Sequence, residues 1–359
     1  MSCWPDSRLI DLLGITHPII QAPMLGAGAD IMIGVARAGG LGSLACATLN
    51  LESIRAEVAA FRAASEQPLN LNFFCHQAPE YDEAAIEQWK SLFKAYYIEL
   101  GVDYDAPTPV SSRAPFDETT CALVEELRPE VVSFHFGLPA PELVARVKAC
   151  GAKILSSATT VEEAQWLELH GCDAIIAMGY EAGGHRAMFL SRELTTQIGT
   201  FALVPQIVDA VTVPVIAAGG IADARGIGAA FALGASAVQI GTAYLFCAEA
   251  SVTQPHHRAL REASSSQTAL TNLFTGRPAR GIVNRVMREM GPINTQAPVF
   301  PLAGGVLLPL KAKSEGSGDF INLWAGQAFP LSPGRRANLS SYELTRTFID
   351  DYAARSACR

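Results

Sequence analysis

Charge is scarce in this chain, and it never gathers. Asp, Glu, Lys and Arg together make up 17% of the 359 residues and apolar residues 49%, which argues for a large buried core and against wholesale disorder. No run of like charge marks a tail, and the formal net charge of −8 argues against a nucleic acid or an anionic membrane as partner. The eight cysteines (Cys3, Cys46, Cys75, Cys121, Cys150, Cys172, Cys247, Cys358) include no C-x-x-C pair, so no zinc site is expected, and no other metal-ligand cluster stands out. Several lie inside apolar runs and read as small reduced hydrophobes, which fits a reducing cytoplasm. The opening MSCWPDSRLI lacks the basic-then-apolar order of a secretory leader. One uncharged stretch, 226–248, is long enough for a bilayer. Its glycines, Ser236 and Gln239 divide it into a helix-like and a strand-like half, so no membrane span is expected.

What is present is alternation. Apolar runs begin at Pro18, Leu41, Leu69, Val131, Lys153, Ala174, Val213 and Ala237, each nearly continuous in the way of strands buried on both faces. Helical patterns lie between them: 30–38, 51–63 behind Asn50, 117–127 with acids in its first turn, one opening at Thr159-Thr160, and 223–233 between Asp223 and Gly234. Eight strands with seven crossovers read as a (β/α)8 TIM barrel of α/β class; a doubly wound open sheet also alternates. The count of eight, and the lack of an early G-x-G-x-x-G, favour the barrel. Residues 76–116 are too long for a bare loop and contain the aromatic run WKSLFKAYYIEL, a candidate lid over the barrel mouth. The segment 249–359 reads as helices and loops packing on the same single domain, 1–359. Within it, TGRPARGIVNRVMRE looks like a loop leading into a basic helix, KAKSEGSGDF like an exposed turn, and LWAGQAF like a return to the core.

In such a barrel the chemistry sits at the C-terminal strand ends. The first run ends in Ala22-Pro23-Met24, the third near Asn72, the fourth at His135, the sixth at Met178 before GYEAGGHRAMF, the seventh in Ala218-Gly219-Gly220 and the eighth in Gln239-Ile240-Gly241-Thr242. The last two ends are the usual phosphate site of this fold: glycines let backbone N–H groups approach, and Thr242 adds a hydroxyl. No lysine at a strand end offers a Schiff base. A planar, phosphate-tailed cofactor fits this arrangement, with flavin mononucleotide (FMN) the natural candidate. Ala22-Pro23-Met24 would pack on the ring, Asn72 would bond its polar edge, and Gly183-Gly184 would admit backbone close to it. His185, beside Gly-Gly at the rim, reads as a catalytic acid or base. Glu181 and Arg186 read as loop-ordering charges, and His135 divides evenly between packing and substrate contact. His17, His170, His256 and His257 read as surface or loop residues.

These residues also carry a resemblance. QAPM, LNLNFFCH, EAGGHR, PVIAAGGI, QIGTAYL, GRPARGIVNR and LWAGQ resemble, in order and over nearly the whole chain, the nitronate monooxygenases. EAGGH and AAGGI are shared with other FMN barrels that use NADH to reduce quinones or enoyl thioesters, which is the alternative reading. The resemblance implies an FMN-dependent oxidoreductase that detoxifies nitro compounds by oxidising alkyl nitronates such as propionate 3-nitronate with O2. It carries the catalytic histidine onto His185 and FMN contacts onto Met24, Asn72, Gly183, Gly184, Gly219, Gly220, Gln239, Gly241 and Thr242. Two positions depart from the pattern: relatives often carry Gln at Met178 and Gly at Ala187. The partners so implied are a small nitronate or nitroalkane and O2; a homo-oligomer is left open.

Overall fold

The computed structural model describes residues 4–110, 113–314 and 316–357. Cys3 and Cys358, two residues of the 76–116 stretch and one of the KAKSEGSGDF turn lie outside the described residues. The eight apolar runs become strands β1 (Ile19–Gln21), β2 (Gly42–Ala45), β3 (Leu69–Phe74), β4 (Val131–His135), β5 (Lys153–Ala158), β6 (Ala174–Met178), β8 (Val215–Ala218) and β9 (Ala237–Ile240), with a two-residue β7 (Gly184–His185) set apart from them. Their parallel order is β1-β9-β8-β6-β5-β4-β3-β2. The two ends meet: Ile20 bridges Leu41, Gln21 N donates to Leu41 O at 2.9 Å, and Leu41 N donates to Ile19 O at 3.0 Å. The sheet is therefore a TIM barrel, and its strands are buried on both faces as their continuous apolar character requires.

Strands are shorter than the runs that announce them. The first stops at Gln21, so Ala22-Pro23-Met24 belong to the loop beyond it; Pro23 has no N–H to give a ladder. The caps expected at Asn50 and Asp223 form, and Asp117 and Thr160 cap their helices as well. Asn50 accepts from Ser53 N at 2.8 Å, Asp117 and Thr120 make a reciprocal capping box, Thr160 accepts from Glu163 N at 3.2 Å, and Asp223 accepts from Arg225 N at 2.9 Å. The uncharged 226–248 stretch divides into the end of helix Ala224–Ala232, then β9, then a short 3-10 turn. No helix among the described residues is long and apolar enough to cross a membrane.

Two elements differ from the sequence reading. RPARGI is not loop: Ala279–Ile282 is strand β11, paired antiparallel on one side with β10 (Thr268–Thr271) and on the other with β7, so the C-terminal segment grips the His185 loop. Pro278 and Gly281 hid it; a Cβ on Gly281 would stand 2.8 Å from Leu323 O, so only glycine allows the crossing. The first residues of KAKSEGSGDF end a helix, Leu307–Lys313, rather than forming a turn. The helix Ser341–Ala357 fills the outer ring between Ala29–Arg37 and Ala224–Ala232. Its apolar stripe is narrow (Leu344, Phe348, Ile349, Tyr352), and Tyr352 stacks on Trp4 at 4.6 Å. LWAGQAF does return to the core through Leu323, Ala325 and Phe329.

Residues Trp89, Phe93, Tyr96 and Tyr97, in and between helices Glu83–Ser91 and Lys94–Glu99, are buried in a second core against Leu273, Phe274, Val306 and Leu310. Trp89 Nε1 donates to Ala303 O at 3.1 Å and Tyr97 Oη to Val306 O at 2.7 Å. The aromatic run thus anchors the 76–116 stretch to the C-terminal segment, and of that stretch Arg113 alone among the described residues lines the barrel-mouth cavity.

Candidate active site

The C-terminal strand ends surround a cavity of about 340 Å3. Every position read at the strand ends as a flavin, catalytic or substrate contact lies on its wall. Ala22, Pro23 and Met24 come from the loop after β1, Asn72 from β3 and His135 from β4. Met178 and the loop Gly183-Gly184-His185 follow from β6; Ala218, Gly219 and Gly220 leave β8; Gln239, Gly241 and Thr242 leave β9.

The wall shows why those residue types are there. Gly219 and Gly220 sit at φ +100° and +73°, a left-handed backbone that costs other residues about 1–2 kcal/mol, and a Cβ on Gly219 would stand 3.0 Å from Ala182 N. Gly184 also has positive φ, +74°, with open space around its missing Cβ. Gly183 has a different reason: a Cβ there would meet Ala325 C at 2.6 Å, so the close neighbour is the protein's own 325–326 backbone. Thr242 Oγ1 accepts from Gly326 N at 3.0 Å and so keeps its proton for a ligand. Asn72 Nδ2 is committed to Ser133 Oγ at 2.9 Å, which leaves its amide oxygen for a ligand. Gln239 Oε1 is buried and has no hydrogen-bond donor among the described residues. An orphaned buried acceptor normally awaits a partner.

His185 stands where three segments meet. Its Nε2 lies 2.9 Å from Thr275 Oγ1, and that hydroxyl is 3.4 Å from Arg277 O. With the hydroxyl donating to the carbonyl, Nε2 donates to the hydroxyl and Nδ1 keeps the lone pair. Burial, then the nearby charge of Arg113, hold its pKa well below the usual histidine value. The imidazole is therefore neutral at pH 7. His135 Nε2 donates to His185 O at 3.1 Å, so one of its nitrogens positions the loop; burial lowers its pKa to about 4. Around His185 stand Phe74, Phe136, Phe300 and Trp324, with ring centroids 6.0, 6.0, 5.3 and 5.6 Å away. Phe136 holds φ +71°, a strained conformation directly after β4.

The charges flanking the glycines order the loops. Glu181 accepts from Thr200 N at 2.9 Å and Thr200 Oγ1 at 2.8 Å, closing the start of helix Thr200–Ala210. Arg186 is fully buried and donates to Met178 O at 2.7 Å and Gln197 Oε1 at 2.9 Å. Met178 and Ala187, the two departures from the family pattern, pack together with Ala182 in one small buried cluster behind His185. Thr275, Arg113, Phe300, Trp324 and the buried His76 are neighbours of His185 that the sequence did not flag. His256, read as a surface or loop residue, is instead on the cavity wall, its Nε2 donating to Trp324 O at 3.0 Å.

A closed (β/α)8 barrel with buried, neutral imidazoles at a glycine-rimmed mouth defines the class of fold and a candidate ligand cavity across the strand ends. The comparisons name the family. A profile of nitronate monooxygenases matches residues 6–333. The nitronate monooxygenase of Pseudomonas aeruginosa is 39% identical over 96% of this chain and 98% of its own. Nitroalkane oxidase from Streptomyces ansochromogenes superposes with a TM-score of 0.87 at 35% identity, covering 98% of this chain and all of that one. FabK from Thermotoga maritima superposes at 0.73 with 25% identity, over 98% and 97% of the two chains. This chain belongs to the nitronate monooxygenase family and is an oxidoreductase.

Proposed function

We propose that the chain binds FMN non-covalently in the barrel-mouth cavity and oxidises alkyl nitronates, such as propionate 3-nitronate, with O2, a detoxifying activity toward nitro compounds. The observation that carries this reading is the wall itself: two positive-φ glycines at the β8 tip, Gly241 and Thr242 at the β9 tip, and an orphaned acceptor on Gln239 all border one cavity. Those residues fit a phosphate-tailed flavin. Gly219, Gly220, Gly241 and Thr242 would hold the phosphate. Gln239 Oε1 and the Asn72 amide oxygen are acceptors of the kind a flavin imide edge requires, while Ala22, Pro23, Met24, Met178 and Ala218 give an apolar bed for the ring. When bound, FMN supplies the electron chemistry and its reaction with O2.

The chain's own part is positioning and proton handling. His185 accepts the α-proton of a neutral nitroalkane at Nδ1, or contacts the already anionic nitronate. His135 holds the His185 carbonyl and lines the substrate side. The aromatic rings keep water from the imidazole. In this proposal the chain is one FMN-binding domain, with 76–116 inserted between β3 and β4 and 249–359 packing on the barrel.

The test is a pair of traces on one preparation. Oxygen uptake with propionate 3-nitronate is expected to be fast, and anaerobic NADH is expected to leave the flavin absorbance unbleached. Rapid bleaching by NADH with no uptake on nitronate would instead make the chain a reductase of quinones or enoyl thioesters.

A further inference from the structure

Among the described residues no acid forms an ion pair with the positive charge around His185. Arg113 lines the cavity, its Cζ 5.8 Å from the centroid of Phe300. Arg277 is not on the cavity wall; its Cζ lies 4.0 Å over the ring of Phe136. Both aromatic rings touch the imidazole, and both guanidiniums bear on its protonation. The Nη1 of each arginine is buried without a hydrogen-bond acceptor among the described residues. Among the described residues neither arginine makes an ion pair. Among the described residues Glu163 is the acid that bears on Arg277, and its two oxygens are taken by Thr159 and by Phe189 N at 2.6 Å; Arg192 adds a further positive charge nearby. The histidines add no further positive charge, because burial keeps His76, His135 and His185 neutral.

Burying a cation without a partner is costly, and a protein keeps such a group where a ligand completes it. The chain as a whole carries −8, a field that repels anions at long range, so a local positive patch at the mouth reverses the sign where it matters. A guanidinium edge matches a planar oxyanion, two parallel N–H donors to two oxygens. A nitronate is such a group, with its charge spread over both oxygens. Its conjugate acid, the nitroalkane, carries no net charge to attract.

We infer that Arg113, with Arg277 behind it, is the anion seat of this cavity and the residue that selects a planar oxyanion over its neutral counterpart. The naming of nitronate as that oxyanion rests on the function proposed above; the seat itself does not.

Nitrate is the probe, an unreactive planar oxyanion, and binding is read by calorimetry on the flavin-loaded protein without turnover. Wild type is expected to bind nitrate. Arg113→Met weakens that binding by roughly tenfold or more, the loss of one charge-assisted pair, and Arg277→Met by a smaller factor. Arg113→Lys, which keeps the charge and loses the fork, lies between and carries the test if the methionine variant does not fold. In turnover, the KM for nitronate rises in step with the nitrate affinity lost, and the KM for a neutral nitroalkane rises far less. Nitrate affinity equal in wild type and both Arg113 variants, or no nitrate binding by wild type, overturns the seat. Arg113-dependent nitrate binding in a protein that never oxidises nitronate supports the seat and overturns the proposed reaction.

Discussion

Replacing His185 with asparagine is expected to slow oxidation of a neutral nitroalkane by about 10²–10⁴, the usual worth of a positioned general base. Oxidation of the pre-ionised nitronate should fall much less, because its proton has already gone. Asparagine keeps an amide N–H near Thr275 Oγ1, so the variant removes the lone pair more than the packing. The pH profile adds a second check. The folded pKa of His185 lies below its ordinary value, so the imidazole stays neutral, and competent as a base, as pH falls through 6.5. The nitroalkane rate of wild type should therefore show no acidic limb near 6.5. The same sign governs stability: an unfolded histidine takes up its proton near pH 6.5 while the buried one does not, so stability is complete above that pH and is lost below it. Oxygen uptake with the two substrates from pH 5 to 8 measures the first effect. An equal loss on nitroalkane and nitronate, or no loss, removes His185 from proton transfer.

Arg186→Met is expected to destabilise the fold by on the order of 3–5 kcal/mol, the scale for removing one partner from a buried charged network. The guanidinium has no solvent exposure and ties the last residue of β6 to the loop that carries His185, through Met178 O at 2.7 Å, Gly179 O at 2.5 Å and Gln197 Oε1 at 2.9 Å. Methionine fills part of the volume but leaves those buried acceptors unpaired. Burial lowers the Arg186 pKa only to about 10, so the group is charged at pH 7. Urea unfolding of the two proteins checks this. Midpoints that differ by less than the equivalent of about 1 kcal/mol would mean the loop is held by β7–β11 pairing alone.

The sequence announced the strand-end half of the site and missed the half that arrives from afar. Gly-Gly followed by His185, directly behind an apolar run, is a local signal, because a buried strand rarely ends so without a ligand or a crossing. The Gly219-Gly220 and Gly241-Thr242 tips were legible for the same reason. The groups that set the chemistry of His185 were not. Thr275 is ninety residues away in the chain from His185, and Arg113, Phe300 and Trp324 reach it from the 76–116 and C-terminal segments, with no shared spacing to betray them. Gly183 shows a limit of another kind: the glycine was visible, but whether its missing side chain makes room for a ring or for Ala325 is decided only by packing. β11 was concealed by Pro278 and Gly281, residues that usually mark a loop. The closing helix Ser341–Ala357 was concealed by a polar face that left few apolar positions to count.

On the proposed function the β8 and β9 tips would hold a flavin by its phosphate in the cavity that His185 borders. Titrating flavin-free protein with FMN while following flavin fluorescence tests it most directly. Saturable quenching at one FMN per chain, weakened in Gly219→Ala where a Cβ would crowd Ala182 N at 3.0 Å, is the result this account predicts. Fluorescence that stays at the value of free FMN throughout the titration would contradict it.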